Sequence, residues 1–323
     1  MDIKDINYVG LQEFEKGLRA NILWQPNNFC NYDCSYCWPS THTRVKDFVD
    51  TEVGLSGIDQ LVDQFLNQGV EIINWGWSGG EPTFHPGFLN FLEKIDSHSN
   101  RVKMTTNLTT NLSQNITWWA QFIDVVKNFR YVKVNGSLHQ EYVNTKEQVE
   151  RFTDKLLFLK DNGVKVLINQ VLTVENFYNQ LESCKKFEDL GITVNYKIDS
   201  QVIKGANKST YIKDQLDFFY NHKRSYKINN YFVARTKDGK EHLFDSVENY
   251  KPYGNLNFNG WLCYAGFYSV SIKHDEVVRG IGTCRDESLG NFRDGFKLYN
   301  IPNPCYINKI CSCAADVKIP KYR

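Results

Sequence analysis

Cys30-Asn31-Tyr32-Asp33-Cys34-Ser35-Tyr36-Cys37 places three thiols within eight residues, at the spacing C-x3-C-x2-C. Cysteine thiolate is the ordinary ligand of iron–sulfur clusters, and three thiolates grip three irons of a [4Fe–4S] cubane. The fourth iron then has no protein ligand nearby, and an open metal position is what a cofactor or substrate needs. The competing readings are a zinc site or plain buried thiols. Zinc sites usually show C-x2–4-C pairs and four protein ligands. Here no fourth cysteine lies close, and the nearest histidine, His42, is five residues on.

A second candidate is Gly79-Gly80-Glu81-Pro82-Thr83. Adjacent glycines let backbone approach a ligand closely, and Glu81 supplies a carboxylate that suits an ammonium. An ordinary strand-to-helix turn would read the same way. The third candidate is the tail. Cys263-Tyr264-Ala265-Gly266 leads through the alternating stretch 270–278 to Gly282-Thr283-Cys284 and Leu289-Gly290-Asn291, and the chain closes on Cys305, Cys311 and Cys313. These five thiols within 51 residues exceed the four that one cluster needs. Glycines beside cysteines permit the tight turns that aim thiols at one centre. A structural four-cysteine zinc site is the alternative. Cys184, alone in a helix-like stretch, reads as a buried thiol.

These residues must be held by something regular. Apolar or β-branched runs occur near 20–25, 71–76, 101–106, 131–137, 164–172 and 192–198. Between them Leu55–Leu66, Phe88–Ile95, Val149–Lys160 and Phe177–Leu190 carry apolar residues at helical spacing. Gly69, Gly163 and Gly191 suit left-handed helix ends. Alternating strands and helices predict parallel βαβ units. Six units fall short of the eight of a closed barrel, so the expected fold is α/β, a partial (β/α)6 TIM-like barrel over residues 1–205. Both amino-terminal motifs follow strand-like runs, and strand carboxyl ends are where such folds place their sites. Residues 206–260, with a helix expected at Tyr211–His222, read as a connection, and 261–323 as a small cysteine-rich domain.

Composition narrows the function classes. Hydrophobic residues at 41% are enough for a core, and 38 lysines and arginines balance 37 aspartates and glutamates. That balance argues against a strongly cationic nucleic-acid binder. No apolar run spans a bilayer and the charged amino terminus lacks a signal peptide's apolar core, so the expectation is a cytoplasmic protein without membrane attachment. In a reducing compartment, clustered thiols among nine cysteines point to cofactor ligation rather than disulfides.

Cys30, Cys34 and Cys37 with aromatic Tyr36, together with Gly79-Gly80-Glu81-Pro82, resemble the two hallmarks of the radical S-adenosylmethionine (SAM) superfamily. The resemblance implies a [4Fe–4S] cluster on the three cysteines, with the amino and carboxylate groups of SAM chelating its open iron. It places Gly79, Gly80, Glu81 and Pro82 at the SAM amino group. Asn107, read as the end of a strand at Met104–Asn107, and Ser137 resemble residues that contact the ribose; Asn169 and Gln170 would face the same pocket. His139 is a candidate substrate or proton-transfer residue, with a structural role as its alternative. The tail resembles SPASM and twitch extensions, which hold auxiliary clusters. Full SPASM extensions carry seven cysteines, and Glu276 stands where their hairpin usually has glycine. One auxiliary [4Fe–4S] cluster is therefore expected, held by four of Cys263, Cys284, Cys305, Cys311 and Cys313.

The implied activity is reductive cleavage of SAM to a 5′-deoxyadenosyl radical, which removes a substrate hydrogen. An auxiliary cluster favours net oxidation or oxidative bond formation on a small molecule or peptide, with flavodoxin or ferredoxin as electron donor. Only about twenty residues precede the first strand, too few for a folded leader-binding domain, so a peptide would come with a separate partner. Trp38, Trp75 and Trp77 flank the motifs, as a dry pocket wall or as plain core. Two rival readings are a nucleic-acid- or nucleotide-modifying radical SAM enzyme and a non-catalytic iron–sulfur electron carrier.

Overall fold

The computed structural model describes residues 3–11, 18–37, 43–199, 210–221, 232–244, 256–280, 282, 284–311 and 314–323. The chain runs β1 (Ile6–Leu11), β2 (Arg19–Gln25), α1 (Thr51–Asn67), β3 (Ile72–Trp77), α2 (Phe88–Asp96), β4 (Lys103–Thr110), α3 (Ile116–Val126) and β5 (Tyr131–Ser137). There follow α4 (Lys146–Asp161), β6 (Lys165–Leu172), α5 (Phe177–Asp189), β7 (Thr193–Ile198), α6 (Lys213–Asn221), β8 (Phe232–Thr236) and β9 (Glu241–Phe244). The tail adds β10 (Leu262–Cys263), β11 (Ser269–Lys273), β12 (Glu276–Val278), β13 (Ser288–Asn291), β14 (Gly295–Phe296), β15 (Asn303–Pro304), α7 (Ala314–Val317) and β16 (Lys321–Tyr322).

Strands β2 to β7 lie side by side, parallel and in chain order, with helices between them. Each of the six strand-like runs is one of these strands. Gly69, Gly163 and Gly191 take φ of 79°, 80° and 68° at the ends of α1, α4 and α5. Helix α3 carries no clean polar stripe in the sequence, because Ile116, Trp118, Trp119, Phe122, Ile123 and Val125 spread apolar residues around it. Strand β4 also runs past Asn107 to Thr110, its β-branched residues carrying the ladder onward, so Asn107 lies inside the strand and does not end it.

The parallel sheet has two unlike faces. Ile22, Trp24, Ile73, Trp75, Trp77, Leu108, Val134 and Ile168 are buried in the main core with Ile58, Leu61 and Phe65 of α1 and Phe91 of α2. Trp24 stacks between Trp77 and Phe91, with ring centroids 5.2 and 4.8 Å away. Trp75 and Trp77 are thus core residues; Trp38 lies outside the described residues. The opposite face is polar. Register aligns Asn21, Asn74 and Thr105 across β2–β4, and Ser137, Asn169 and Asn195 across β5–β7.

The tail returns to this sheet. Strand β11 pairs parallel with β2, Ser271 opposite Leu23, and β12 to β14 continue the sheet antiparallel. In the β11–β12 turn His274 takes the left-handed conformation (φ 59°), while Glu276 sits in the ladder opposite Lys273. The hairpin therefore closes with no glycine at 276. A second, antiparallel sheet of order β15–β10–β16–β1–β8–β9 joins the start of the chain, the 232–244 hairpin and the last residues. It covers a smaller core in which Phe258, Cys263, Ala265, Cys305 and Ile319 are buried. None of the described helices is long and apolar enough to cross a membrane.

Candidate functional site

The chain leaving β2 lies against the turn that leaves β3. Gly80 N–H donates to Asn27 O (3.1 Å) and Glu81 N–H to Phe29 O (2.7 Å). A Cβ on Gly79 would stand 2.4 Å from Asn27 O, and one on Gly80 2.1 Å from Phe29 O. Gly79 also has φ 115°, which side chains disfavour. The close approach that the glycines permit is thus to the stalk of the cysteine loop. That contact sets Cys30 beside the turn.

Glu81 is 1% exposed, and its carboxylate accepts from four protein donors. Thr83 N–H and Oγ1 donate to one oxygen (3.2 and 2.7 Å), as does Thr110 Oγ1 (2.8 Å); Asn111 N–H donates to the other (2.6 Å). Burial raises its pKa against the pull of these donors. The carboxylate expected at an ammonium is therefore engaged in tying the turn to the end of β4. Pro82 opens the short 3-10 turn Pro82–Phe84 that follows and is buried. Asn111 extends the tie, since its Nδ2 donates to Asn31 Oδ1 (2.8 Å) and lies 3.9 Å from Cys30 Sγ.

The cysteine loop has a second clamp, supplied by the segment after β5. Tyr36 Oη and Cys34 Sγ both approach His139 Nδ1, at 2.7 and 3.2 Å. Ser35 N–H donates to Glu141 (2.9 Å), Asp33 N–H donates to Tyr142 Oη (2.7 Å), and Tyr32 stacks on Tyr142 at 4.3 Å. Burial holds His139 down to about 4, so it serves here as a neutral ring that fixes the loop. Burial pushes the Cys30 thiol up to about 11 and, with Glu141 beside it, Cys34 up to about 12. Such thiols stay protonated at neutral pH unless a bound cation compensates, as metal ligation does. Cys37 is half-buried on the same loop.

Asn107 and Ser137 lie on the polar face of the sheet, both half-buried, and Asn107 Oδ1 accepts from Asn135 Nδ2 (2.6 Å). Asn169 joins them, opposite Ser137 and bonded to Asn195 (2.9 Å). Gln170 does not. Neighbouring strand residues point to opposite faces, and Gln170 is fully buried on the helix side, where it accepts from Gln140 (3.2 Å). The clamp residues Thr110, Asn111, Glu141 and Tyr142 were not singled out. Their signal was their place at the end of β4 or in the segments just after β4 and β5, where loops of such sheets gather.

In the tail, Cys263, Cys284, Cys305 and Cys311 line one small cavity with Phe258, Ala265, Asp316, Ile319 and Lys321. Cys313 lies outside the described residues. Burial, with Asp316 and the other thiols adding to it, pushes Cys284 and Cys311 each up to about 12. Two buried cations stand by: Lys321, 2% exposed, lines the cavity, and Arg279, 1% exposed, feels the charges of Cys263 and Cys284. Cys184 is buried beneath α5, away from both groups. Among the described residues, no three His, Cys, Asp or Glu side chains stand close enough to hold one metal ion.

Over 99 residues the chain is 30% identical to mycofactocin maturase MftC of Mycobacterium tuberculosis, covering 30% of this chain and 24% of that protein. Over 173 residues it is 24% identical to the AdoMet-dependent heme synthase of Oleidesulfovibrio alaskensis, covering 53% and 42%. The matched stretches thus span less than half of either relative. Among solved structures, anSMEcpe with bound AdoMet superposes with a TM-score of 0.56 over 86% of this chain and 79% of that one, at 19% identity. Its complex with AdoMet and the Kp18Cys peptide gives the same score and coverage. At that identity the likeness speaks for the fold, an α/β fold with a large sheet. Residues 24–198, more than half of the chain and holding both the thiol loop and the glycine turn, match the family model of the radical SAM superfamily, and the protein belongs to that superfamily.

Proposed function

We propose that the protein cleaves SAM reductively and uses the resulting radical to oxidise, or to form a bond in, a peptide substrate. The observation that carries this is the pinned loop: three thiols at the carboxyl end of β2, fastened to the glycine turn after β3 and clamped from β5. When bound, a [4Fe–4S] cluster and SAM supply a 5′-deoxyadenosyl radical that removes a hydrogen atom from the substrate. Cys30, Cys34 and Cys37 would hold the cluster, and the backbone of Gly79–Pro82 would meet the SAM amino group. Asn107 and Ser137 would meet the ribose from the polar face. In this reading the parallel sheet curves into a partial barrel, and residues 1–205 carry the SAM site.

The tail thiols would hold an auxiliary cluster. Cys263, Cys284, Cys305 and Cys311 line one cavity and would be its ligands. Fully ligated, such a cluster has no open iron and serves to take an electron from the substrate. A reductant such as flavodoxin or ferredoxin would feed the SAM site, in the cytoplasm.

A peptide is favoured over a small molecule because the anSMEcpe fold has been solved with a peptide beside AdoMet and the short alignment is to a maturase. The balanced charge counts against nucleic acid. The test is anaerobic reconstitution with iron, sulfide, SAM and dithionite. Formation of 5′-deoxyadenosine is expected, and its absence from protein carrying a full iron complement would overturn the proposal. An electron carrier would fail to bind SAM in the same preparation.

A further inference from the structure

Arg279 follows β12, is 1% exposed, and among the described residues bonds from Nη1 to Glu287 (3.0 Å), with the Tyr306 hydroxyl as a further polar partner. Its Nε and Nη2 are buried with no hydrogen-bond acceptor among the described residues. Donors left unpaired in a protein interior are rare and costly, and a guanidinium is a worse case than an amide. The rings of Tyr299 and Tyr306 lie 5.7 and 5.3 Å from the guanidinium, and the hydroxyls of both donate to Glu287. Among the described residues, Cys263 and Cys284 are the other groups that would act on it as anions once ligation deprotonates them.

Lys321 makes the point by contrast. It is the other buried cation beside the four thiols, and its ammonium is saturated by the carbonyls of Asp316 (2.6 Å), Ile319 (2.8 Å) and Val317 (3.3 Å). Arg279 keeps two buried N–H groups without an acceptor, and its Cγ lies 3.5 Å from where a Cβ on Gly266 would stand, next to Ala265 of the thiol cavity.

We infer that Arg279 donates these N–H groups to the sulfurs of an iron–sulfur cluster held by Cys263, Cys284, Cys305 and Cys311, and thereby raises that cluster's reduction potential. This rests on the auxiliary-cluster reading above. An oxidised [4Fe–4S] core with four thiolates carries a net charge of about −2, and one added electron makes it about −3. A fixed cation with N–H···S bonds stabilises the second state more than the first. Arginine suits this task because its planar fork stays charged and is weakly hydrated. Glu287 holds the guanidinium in place and offsets part of its charge.

The experiment uses the full chain with Cys30, Cys34 and Cys37 all changed to alanine, reconstituted anaerobically, so that the tail holds the protein's iron. Its midpoint potential is read by EPR during reductive titration with dithionite or europium(II). Adding Arg279→Met should make reduction at least tenfold less favourable, a downward shift of about 59 mV for one electron. Arg279→Lys should recover part of it. An unchanged midpoint in Arg279→Met with iron content intact overturns the role. If Arg279→Met does not hold iron, Glu287→Gln decides, because it keeps the arginine and removes its counter-charge. A rise in midpoint is then expected, and no change or a fall overturns the inference. A parent protein that binds zinc or no iron in its tail overturns the auxiliary-cluster reading itself, a result distinct from an intact cluster indifferent to Arg279.

Discussion

Cys30, Cys34 and Cys37 sit on one eight-residue loop, whereas Cys263, Cys284, Cys305 and Cys311 are gathered from four separated segments. The first group is held from outside: the glycine turn, Asn111 and the His139–Tyr142 segment pin a loop whose residues Asp33 and Ser35 are exposed. The second is held from within, by a small core in which Cys263 is 3% and Cys305 8% exposed, with Arg279 and Lys321 alongside. A local loop with one open side suits a centre that must admit another molecule. A quartet with two buried and two half-buried thiols beside buried cations suits a centre that exchanges only electrons, since potential follows net charge, sulfur hydrogen bonds and exposure. The comparison predicts that the two groups fail separately.

The largest effect should come from removing the loop thiols together. Reconstituted protein should carry about eight irons and the Cys30→Ala/Cys34→Ala/Cys37→Ala variant about four, at four per cubane. 5′-Deoxyadenosine formation should vanish. A variant that still cleaves SAM would break the assignment of the loop. Next is the reverse experiment. Changing Cys263 and Cys284 to alanine should leave much of the 5′-deoxyadenosine formation while oxidised product collapses, so the product-to-5′-deoxyadenosine ratio is the quantity to measure. A ratio equal to wild type would remove the electron-accepting role from the quartet.

Glu81→Ala tests whether the loop is held by its surroundings. The change strands the N–H of Asn111 and the Thr83 and Thr110 donors, and should cost about 2 kcal/mol in urea unfolding. SAM affinity should fall with it through the displaced turn. Glu81→Gln, which keeps acceptors for part of the set, should lose less of both; equal losses would point to the carboxylate charge acting on SAM directly. The smallest effect belongs to Glu141→Ala, which removes an exposed contact to Ser35 and should cost under about 1 kcal/mol. A loosened loop should show there as faster loss of the SAM-site cluster in air, with the tail cluster unaffected.

Much of this arrangement was legible in the chain. The three loop cysteines are near neighbours, so their convergence needs no long-range folding, and the glycine pair announces a close approach wherever it occurs. Its second use was not legible: besides the ligand expected there, the turn meets the backbone of 27–29. Gln170 shows a related limit. It lies in β6 two residues before the strand ends, and which face it takes depends on the register of one residue. Helix α3 is hard to read because Ile116, Trp118 and Ile123 add apolar residues beyond the buried face of Trp119, Phe122 and Val126.

The sequence by itself determined the spacing of the loop thiols, the six strand–helix units and the left-handed helix ends, because each depends on residues a few positions apart. Tertiary structure alone decided which tail thiols share a cavity, since Cys263 and Cys311 meet only after β1, β10 and β16 have joined opposite ends of the chain in one sheet. It also decided that Glu81 is spent on Thr83, Thr110 and Asn111 and that Arg279 keeps two donors in reserve. Hydrogen-bond partners across such distances are chosen by packing, which brings groups together without regard to their separation along the chain.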